Sequence, residues 1–413
     1  MKVLQINNVH YRRGGADAVY LNTGELLVEH GGEVVYFNML REKNLPCNDD
    51  KYFVSSIESR PKGLKSTLIE LRNFFYNPEA ARKIEELIIA EKPDIAHIHL
   101  FWGCGISASI CKVLHKYNIP LVQTVHDYRM VCPIAVLKDQ SGKVCEKCAK
   151  GQYYHGACKN CSHHGRLHSI VMSVEMYFHN WFFYPTEVVD GFIYVSNFSK
   201  KKHVQYMPKM QNANKTVLYN FSKSDSTKAA EKMDYFLYYG RLSHEKGIAT
   251  LIDAFGKKPI HALKIVGTGP LEDELKEHCK EECYGNIDFL GYKSGEELFD
   301  LVQKAKFVCV PSEWYENNPM TIVESYTLGT PVIGAHIGGI PEIIEEGKTG
   351  YTFESGNVND LLKTIQQADA MTSIEYEQMC ANAKNFADEN FEKEAHYKRL
   401  MEFYKQTINN YKK

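Results

Sequence analysis

At 413 residues the chain is long enough for two domains, each with its own core. It is 44% apolar and 24% charged, which is the make-up of a folded globular protein and excludes a disordered one. A formal net charge of −2 excludes a general nucleic-acid binder, which needs an excess of cations.

Met1-Lys2 leads straight into an apolar run at 3–6, with no leader-like segment and no apolar run near 18 residues, so the expected location is the cytoplasm. Apolar runs at 3–6, 34–37, 95–98, 121–125, 192–195 and 216–218 read as strands of a first half. Runs at 236–239, 263–266, 287–290, 307–310, 332–333 and 351–353 read as strands of a second. Helix-period stretches alternate with them, which predicts an α/β protein with two doubly wound, Rossmann-like parallel sheets. Two segments break the pattern: 44–66, polar and aperiodic, reads as a long loop, and 132–168, rich in Cys, His, Gly and Lys, as an insertion after the fourth strand. The polar stretch 222–228 reads as the linker, giving domains of 1–222 and 223–390. In 391–413, Tyr397, Met401, Tyr404, Ile408 and Tyr411 make one apolar stripe at helical spacing, and this helix is expected to complete the first domain.

Several candidate sites fall where strands end and helices begin, the edge at which open α/β sheets bind ligands. Gly14 and Gly15 close the loop after the first strand and open a helix over 17–29; they let a backbone approach a ligand, and the helix start favours anions. His126-Asp127 follows the fourth strand, where His126 can donate a hydrogen bond to a sugar hydroxyl or to an oxygen gaining charge. Arg241 and Lys246, in Gly240-Arg241-Leu242-Ser243-His244-Glu245-Lys246-Gly247, are two cations able to grip a diphosphate. Gly267-Thr268-Gly269 is half a dinucleotide fingerprint, with Glu272 where the third glycine would stand, and reads as a loop passing under a nucleotide. In Glu316-Asn317-Asn318-Pro319-Met320, Asn317 or Asn318 is placed to cap a helix and Pro319 suits its first turn. Glu316 then lies in the loop and Glu324 in the helix, two carboxylates around an anion site.

Cys145-Glu146-Lys147-Cys148 and Cys158-Lys159-Asn160-Cys161 form two C-x-x-C hooks, whose four thiolates predict a closed tetrahedral structural site for zinc. Cys132, His155, His163 and His164 are spare ligands, while cysteines 47, 104, 111, 279, 283, 309 and 380 read as buried thiols. The aromatic stretch 177–185 reads as a core-facing helix ending at Pro185. With Arg12, Arg13 and the basic run 60–65, it could instead touch lipid at the inner membrane face.

Taken together, these motifs resemble the retaining glycosyltransferases of family 4, over nearly the whole chain. The resemblance is strongest in Glu316 to Glu324, in Gly329-Thr330-Pro331 and Gly338-Gly339-Ile340-Pro341-Glu342, in 240–247, and in His126-Asp127-Tyr128 through Cys132-Pro133. It implies a GT-B fold, two such domains facing a central cleft. It implies that Arg241 and Lys246 bind the donor diphosphate, Glu316 the donor sugar and Glu324 the ribose hydroxyls. Asn318, Pro319 and Met320 would line the phosphate and sugar, Gly14 and Gly15 the near loop, and His126 would hydrogen-bond the transferred sugar. The implied partners are a nucleotide-sugar donor and a glycan or lipid-linked acceptor, as in surface polysaccharide synthesis, with no catalytic cofactor. The absence of an Asp-x-Asp motif agrees with diphosphate binding by cations rather than by a metal. A sugar-nucleotide epimerase of similar fold and a nicotinamide-dependent oxidoreductase are the alternatives.

Overall fold

The computed structural model describes residues 1–56, 63–100, 105–223, 230–257 and 261–411. Residues 60–62 of the basic run 60–65, most of the linker 222–228, and Cys104 lie outside them. The chain divides into two compact units, 1–140 with 145–218 and 396–413, and 219–395 with 141–144.

The first unit holds strands β1 (Lys2–Ile6), β2 (Glu33–Phe37), β3 (Ile95–Ile98), β4 (Leu121–Val125), β5 (Gly191–Tyr194) and β6 (Lys215–Val217) in the order β2-β1-β3-β4-β5-β6. The second holds β7 (Tyr235–Tyr239), β8 (Ala262–Val266), β9 (Ile287–Gly291), β10 (Phe307–Val310), β11 (Val332–Ala335) and β12 (Gly350–Phe353) in the order β12-β11-β10-β7-β8-β9. All neighbours are parallel. Helices cover both faces of such sheets, so central strands must be apolar throughout rather than alternating. In β7, Phe236 and Tyr238 enter one core with Ile265, Phe307 and Cys309. Tyr235, Leu237 and Tyr239 enter the other with Val308, Val310 and Val332. Phe236 and Phe307 are fully buried, and burying side chains of this size contributes about 1.5–3 kcal/mol each.

All twelve expected strands form, with ends shifted by a residue or two. Strand β11 runs past 332–333, because β10 and β12 both pair with Gly334 and β12 also pairs with Ala335. The C-terminal helix, Lys393–Tyr411, buries Leu400, Phe403 and Tyr404 against Val3, Ile95, Val122 and Ile193 of the first unit, with Tyr397, Met401 and Ile408 flanking them.

Other expectations change. The helix after β10 is Met320–Thr327, and its N-cap is Pro319 with no side-chain cap; neither Asn317 nor Asn318 plays that part. The segment 44–66 is not wholly irregular: Asp50–Tyr52 forms a 3₁₀ turn, Val54 bridges Met39, and a helix starts at Leu64. The stretch 132–168 contains the short helix Tyr154–Cys158 and the start of the helix Arg166–Phe182. That second helix is not core-facing throughout. Leu167, Ile170, Val174, Tyr177 and Trp181, spaced three, four, three and four, are all exposed, Trp181 at 84%. No helix among the described residues is long and apolar enough to cross a membrane.

Candidate active site

The second unit's sheet is built outward in both directions from the neighbours β7 and β10. Loops leaving such a switch point diverge and open a crevice at the strands' carboxyl ends. The loop after β7 carries Arg241 and Lys246, and the loop after β10 carries Glu316 to Pro319.

Lys246 ends the 3₁₀ turn His244–Lys246, which Gly247 closes in a left-handed conformation. Its Nζ donates to Glu316 Oε1 at 2.6 Å. The same oxygen accepts from Trp314 Nε1 at 2.8 Å and Ser312 Oγ at 3.0 Å. Glu316 is only 8% exposed. Burial pushes its carboxyl up, but the Lys246 ammonium and the Lys246, Trp314 and Ser312 hydrogen bonds outweigh that and hold its pKa below the ordinary glutamate value. The site therefore contains a buried, ionised carboxylate fixed to a partly exposed ammonium. Lys246 also lies 5.2 Å from the centre of the Trp314 ring. Arg241 is exposed, and its guanidinium makes no hydrogen bond or ion pair among the described residues.

Backbone interlocking sets this geometry. Glu313 N donates to Glu245 O at 2.9 Å and Gly339 N to Glu316 O at 2.6 Å. A Cβ at Gly339 would stand 1.9 Å from Asn317 O, so only glycine lets the two loops touch. Gly267 and Gly269 are explained the same way: a Cβ on Gly267, at φ +132°, would meet Gly240 O at 1.9 Å, and one on Gly269 would meet Leu242 O at 2.2 Å. These glycines hold the Arg241 loop against its neighbour. Asn220 N donates to Asn318 Oδ1 and Asn220 Nδ2 to Asn318 O, each at 2.8 Å. Asn318 therefore braces the start of the Met320 helix instead of capping it. Glu324, one turn in, stands beside the buried Tyr239 hydroxyl, which donates to Thr321 O at 2.8 Å.

In the first unit, His126 follows β4 and its Nε2 lies 3.0 Å from His99 Nδ1. His126 retains some surface exposure, yet it is enclosed enough that desolvation pushes its pKa down to about 3, so it is neutral. The Asp127 carboxylate accepts from Arg129 N at 2.9 Å. Arg129 itself pairs with the fully buried Glu175, which His179 Nδ1 also meets at 2.6 Å. Gly14 is the extended N-cap of the helix Gly15–Glu29, and nothing lies near the position of a Cβ there. The buried carboxylate of Asp17 sits in that helix's first turn, held by Asn7 Nδ2 at 2.9 Å and Arg13 Nε at 3.5 Å. An acidic side chain already opposes the helix dipole there, which disfavours a second anion.

The cysteines of the two hooks differ in exposure. Cys158 is exposed, and Cys148 and Cys161 are buried. Burial raises the Cys148 thiol to about 12, and the further influences on it come from Cys132, Cys161 and Cys145. Among the described residues no three His, Cys, Asp or Glu side chains already converge at metal-binding geometry. Cys111, Cys279 and Cys309 are buried as expected, whereas Cys283 is exposed and Cys47 and Cys380 are half-buried.

Sequence reasoning missed Gln5, His97, His99 and Glu175. His97 and His99 carried a legible signal, since residues two apart in a strand share a face. Glu175 was signalled only as a lone acid in an aromatic-rich helix.

Residues 13–222 match glycosyltransferase family 4, and residues 221–386 match the glycosyl transferases group 1 family. An uncharacterized glycosyltransferase of Methanocaldococcus jannaschii is 26% identical over 72% of each chain. A protein of the cps region of Klebsiella pneumoniae is 25% identical over 83% of this chain and 87% of its own. Among solved structures, sucrose-phosphate synthase of Thermosynechococcus elongatus superposes with a TM-score of 0.71 at 17% identity, covering 99% of both chains. HepE of Anabaena, solved with UDP, superposes with a TM-score of 0.64 at 17% identity, covering 97% of this chain and 99% of its own. With its two parallel-sheet units and both family matches, the chain belongs to glycosyltransferase family 4 and has the GT-B fold.

Proposed function

We propose that this glycosyltransferase moves a sugar from a nucleotide-sugar donor to a hydroxyl of a glycan or lipid-linked acceptor, with retention at the anomeric carbon. The observation that carries the reading is the Lys246–Glu316 pair at the β7/β10 switch point, in the loop that also carries the exposed Arg241. An ionised buried carboxylate has no use for a phosphate, but it holds Lys246 at the crevice and its second oxygen suits a sugar hydroxyl. Arg241, Lys246 and the Met320 helix start, with the backbone of Asn318 and Pro319, take the diphosphate; Glu324 takes the ribose hydroxyls. HepE of Anabaena has been solved with UDP-glucose, which supports a nucleotide-sugar donor here.

In the proposed reaction the bond from the anomeric carbon to the diphosphate oxygen breaks. The acceptor oxygen bonds to that carbon on the same face, and its proton passes to the departing diphosphate. Arg241 and Lys246 stabilise the charge that the diphosphate gains, as preorganised cations do for a developing anion. His126 hydrogen-bonds a hydroxyl of the transferred sugar. The loop at Gly14 and Gly15 contributes backbone rather than charge, because Asp17 opposes an anion there.

The exposed stripe from Leu167 to Trp181 supports peripheral contact with a lipid surface, where Trp and Tyr favour the interface. A structural zinc in the cysteine segment belongs to the same proposal. Cys145, Cys148 and Cys161 would hold it, with buried Cys132 in place of exposed Cys158.

Thermal-shift measurements with UDP, GDP, ADP and NAD test the donor class. Stabilisation by one nucleoside diphosphate supports the reading. Stabilisation by NAD alone contradicts it and favours an oxidoreductase.

A further inference from the structure

Three adjacent strands of the first unit place polar side chains on the face covered by the C-terminal helix. Gln5 and His97 are register partners across β1 and β3. His99 and His126 each lie two residues beyond His97 and Thr124, so both continue the same face. Gln5, His97, His99, Thr124 and Tyr404 are all at most 4% exposed. A polar layer this deep persists only if its members satisfy one another.

The layer forms a continuous relay. Tyr404 OH lies 2.6 Å from His97 Nδ1, and His97 Nε2 lies 2.7 Å from Thr124 Oγ1. Gln5 Nε2 faces His97 Nδ1 at 3.5 Å, while Gln5 Oε1 faces His99 Nε2 at 3.1 Å. His99 Nδ1 then meets His126 Nε2 at 3.0 Å. Burial, reinforced by the neighbouring histidines, pushes His99 well below its ordinary pKa, so it carries one ring proton. An amide oxygen only accepts. The His99 proton must therefore be on Nε2, donated to Gln5, which leaves Nδ1 bare. A bare Nδ1 requires its partner, His126 Nε2, to carry the proton.

We propose that Gln5 and His99 are positioning residues that lock neutral His126 in the Nε2–H tautomer, so that it meets a sugar hydroxyl through Nδ1 as an acceptor, not as a donor. This reverses the role expected for His126 from its place in the sequence. Its relevance to catalysis rests on the proposed transfer reaction; the tautomer itself does not.

The test is a long-range proton–nitrogen correlation on the full chain labelled with ¹⁵N-histidine, without any donor, with His126 assigned by its loss in His126→Gln. The expected spectrum shows a protonated Nε2 and a bare Nδ1 for His126. A protonated Nδ1, or a ring averaging between tautomers, overturns the proposal. His99→Phe, which removes the acceptor but keeps a ring, should abolish the single tautomer, and His99→Gln, which can still accept, should keep it. With whichever nucleotide-sugar the enzyme turns over, His99→Phe should lower kcat/KM on the order of tenfold, the size of a lost buried hydrogen bond. Binding of the matching nucleoside diphosphate should stay unchanged. Unchanged kcat/KM in His99→Phe overturns the positioning role. Failure to turn over any nucleotide-sugar would count against the transfer reaction, while the donor-free spectrum would still decide the tautomer.

Discussion

Replacing Lys246 by Met removes the cation bonded to Glu316 and keeps most of the side-chain volume. Removing one partner of a fully buried pair costs about 3–5 kcal/mol. Here the Lys246 side chain is 28% exposed and that of Glu316 10%, and Trp314 and Ser312 still donate to the carboxylate. The expected cost at neutral pH is therefore smaller, about 2 kcal/mol. For a unit of this size that lowers Tm by roughly 4–8 °C. The pH dependence should change sign. In the wild type the Glu316 pKa lies below its unfolded value, so its contribution is present above the unfolded pKa and is lost as pH falls through the folded pKa. Without Lys246, burial dominates and raises the folded pKa, so acidification from pH 7 towards pH 5 should restore part of the lost stability. Turnover should fall about 100-fold to 1000-fold, the scale for removing one preorganised group that stabilises a developing anion. The assays are thermal melts from pH 5 to 8 and donor turnover. Glu316→Gln combined with Lys246→Met should cost much less than the sum of the single changes. Wild-type turnover in Lys246→Met, or equal destabilisation at pH 5 and pH 7, would refute the reasoning.

Gly339→Ala forces a Cβ onto Asn317 O and should displace the Glu316 loop, costing about 1–3 kcal/mol and weakening nucleoside diphosphate binding; an unchanged melting curve would count against the interlocked loops. Trp181→Glu with Leu167→Glu should reduce co-sedimentation with anionic vesicles at least roughly tenfold, since burying each apolar side chain contributes about 1.5–3 kcal/mol. A wild-type protein that ignores such vesicles would remove lipid as the stripe's occupant. Elemental analysis should find about one zinc per chain, lost in Cys132→Ser and kept in Cys158→Ser; below about 0.2 per chain the metal is excluded.

The strands were legible because those central to a parallel sheet are buried on both faces and leave unbroken apolar runs, as in Phe236 to Tyr239. The positions of the site loops followed from the same runs, because each loop must begin where its strand ends. Pairing within the site was not legible. Lys246 and Glu316 are seventy positions apart, and their contact depends on Gly339 and Gly267 drawing separate loops together. The histidine relay was hidden because it depends on the lateral register of β1, β3 and β4 and on Tyr404 arriving from the chain's other end. The helix Arg166–Phe182 misled for a different reason. Apolar spacing identifies a face but not whether protein, lipid or solvent meets it.

The most direct test of the account is transfer itself. The wild-type chain should release a nucleoside diphosphate from one member of a nucleotide-sugar panel, and proton NMR of the product should show the donor's anomeric configuration. An inverted anomeric centre, or no turnover of any nucleotide-sugar by a folded protein supplied with glycan and lipid-linked acceptors, would contradict it.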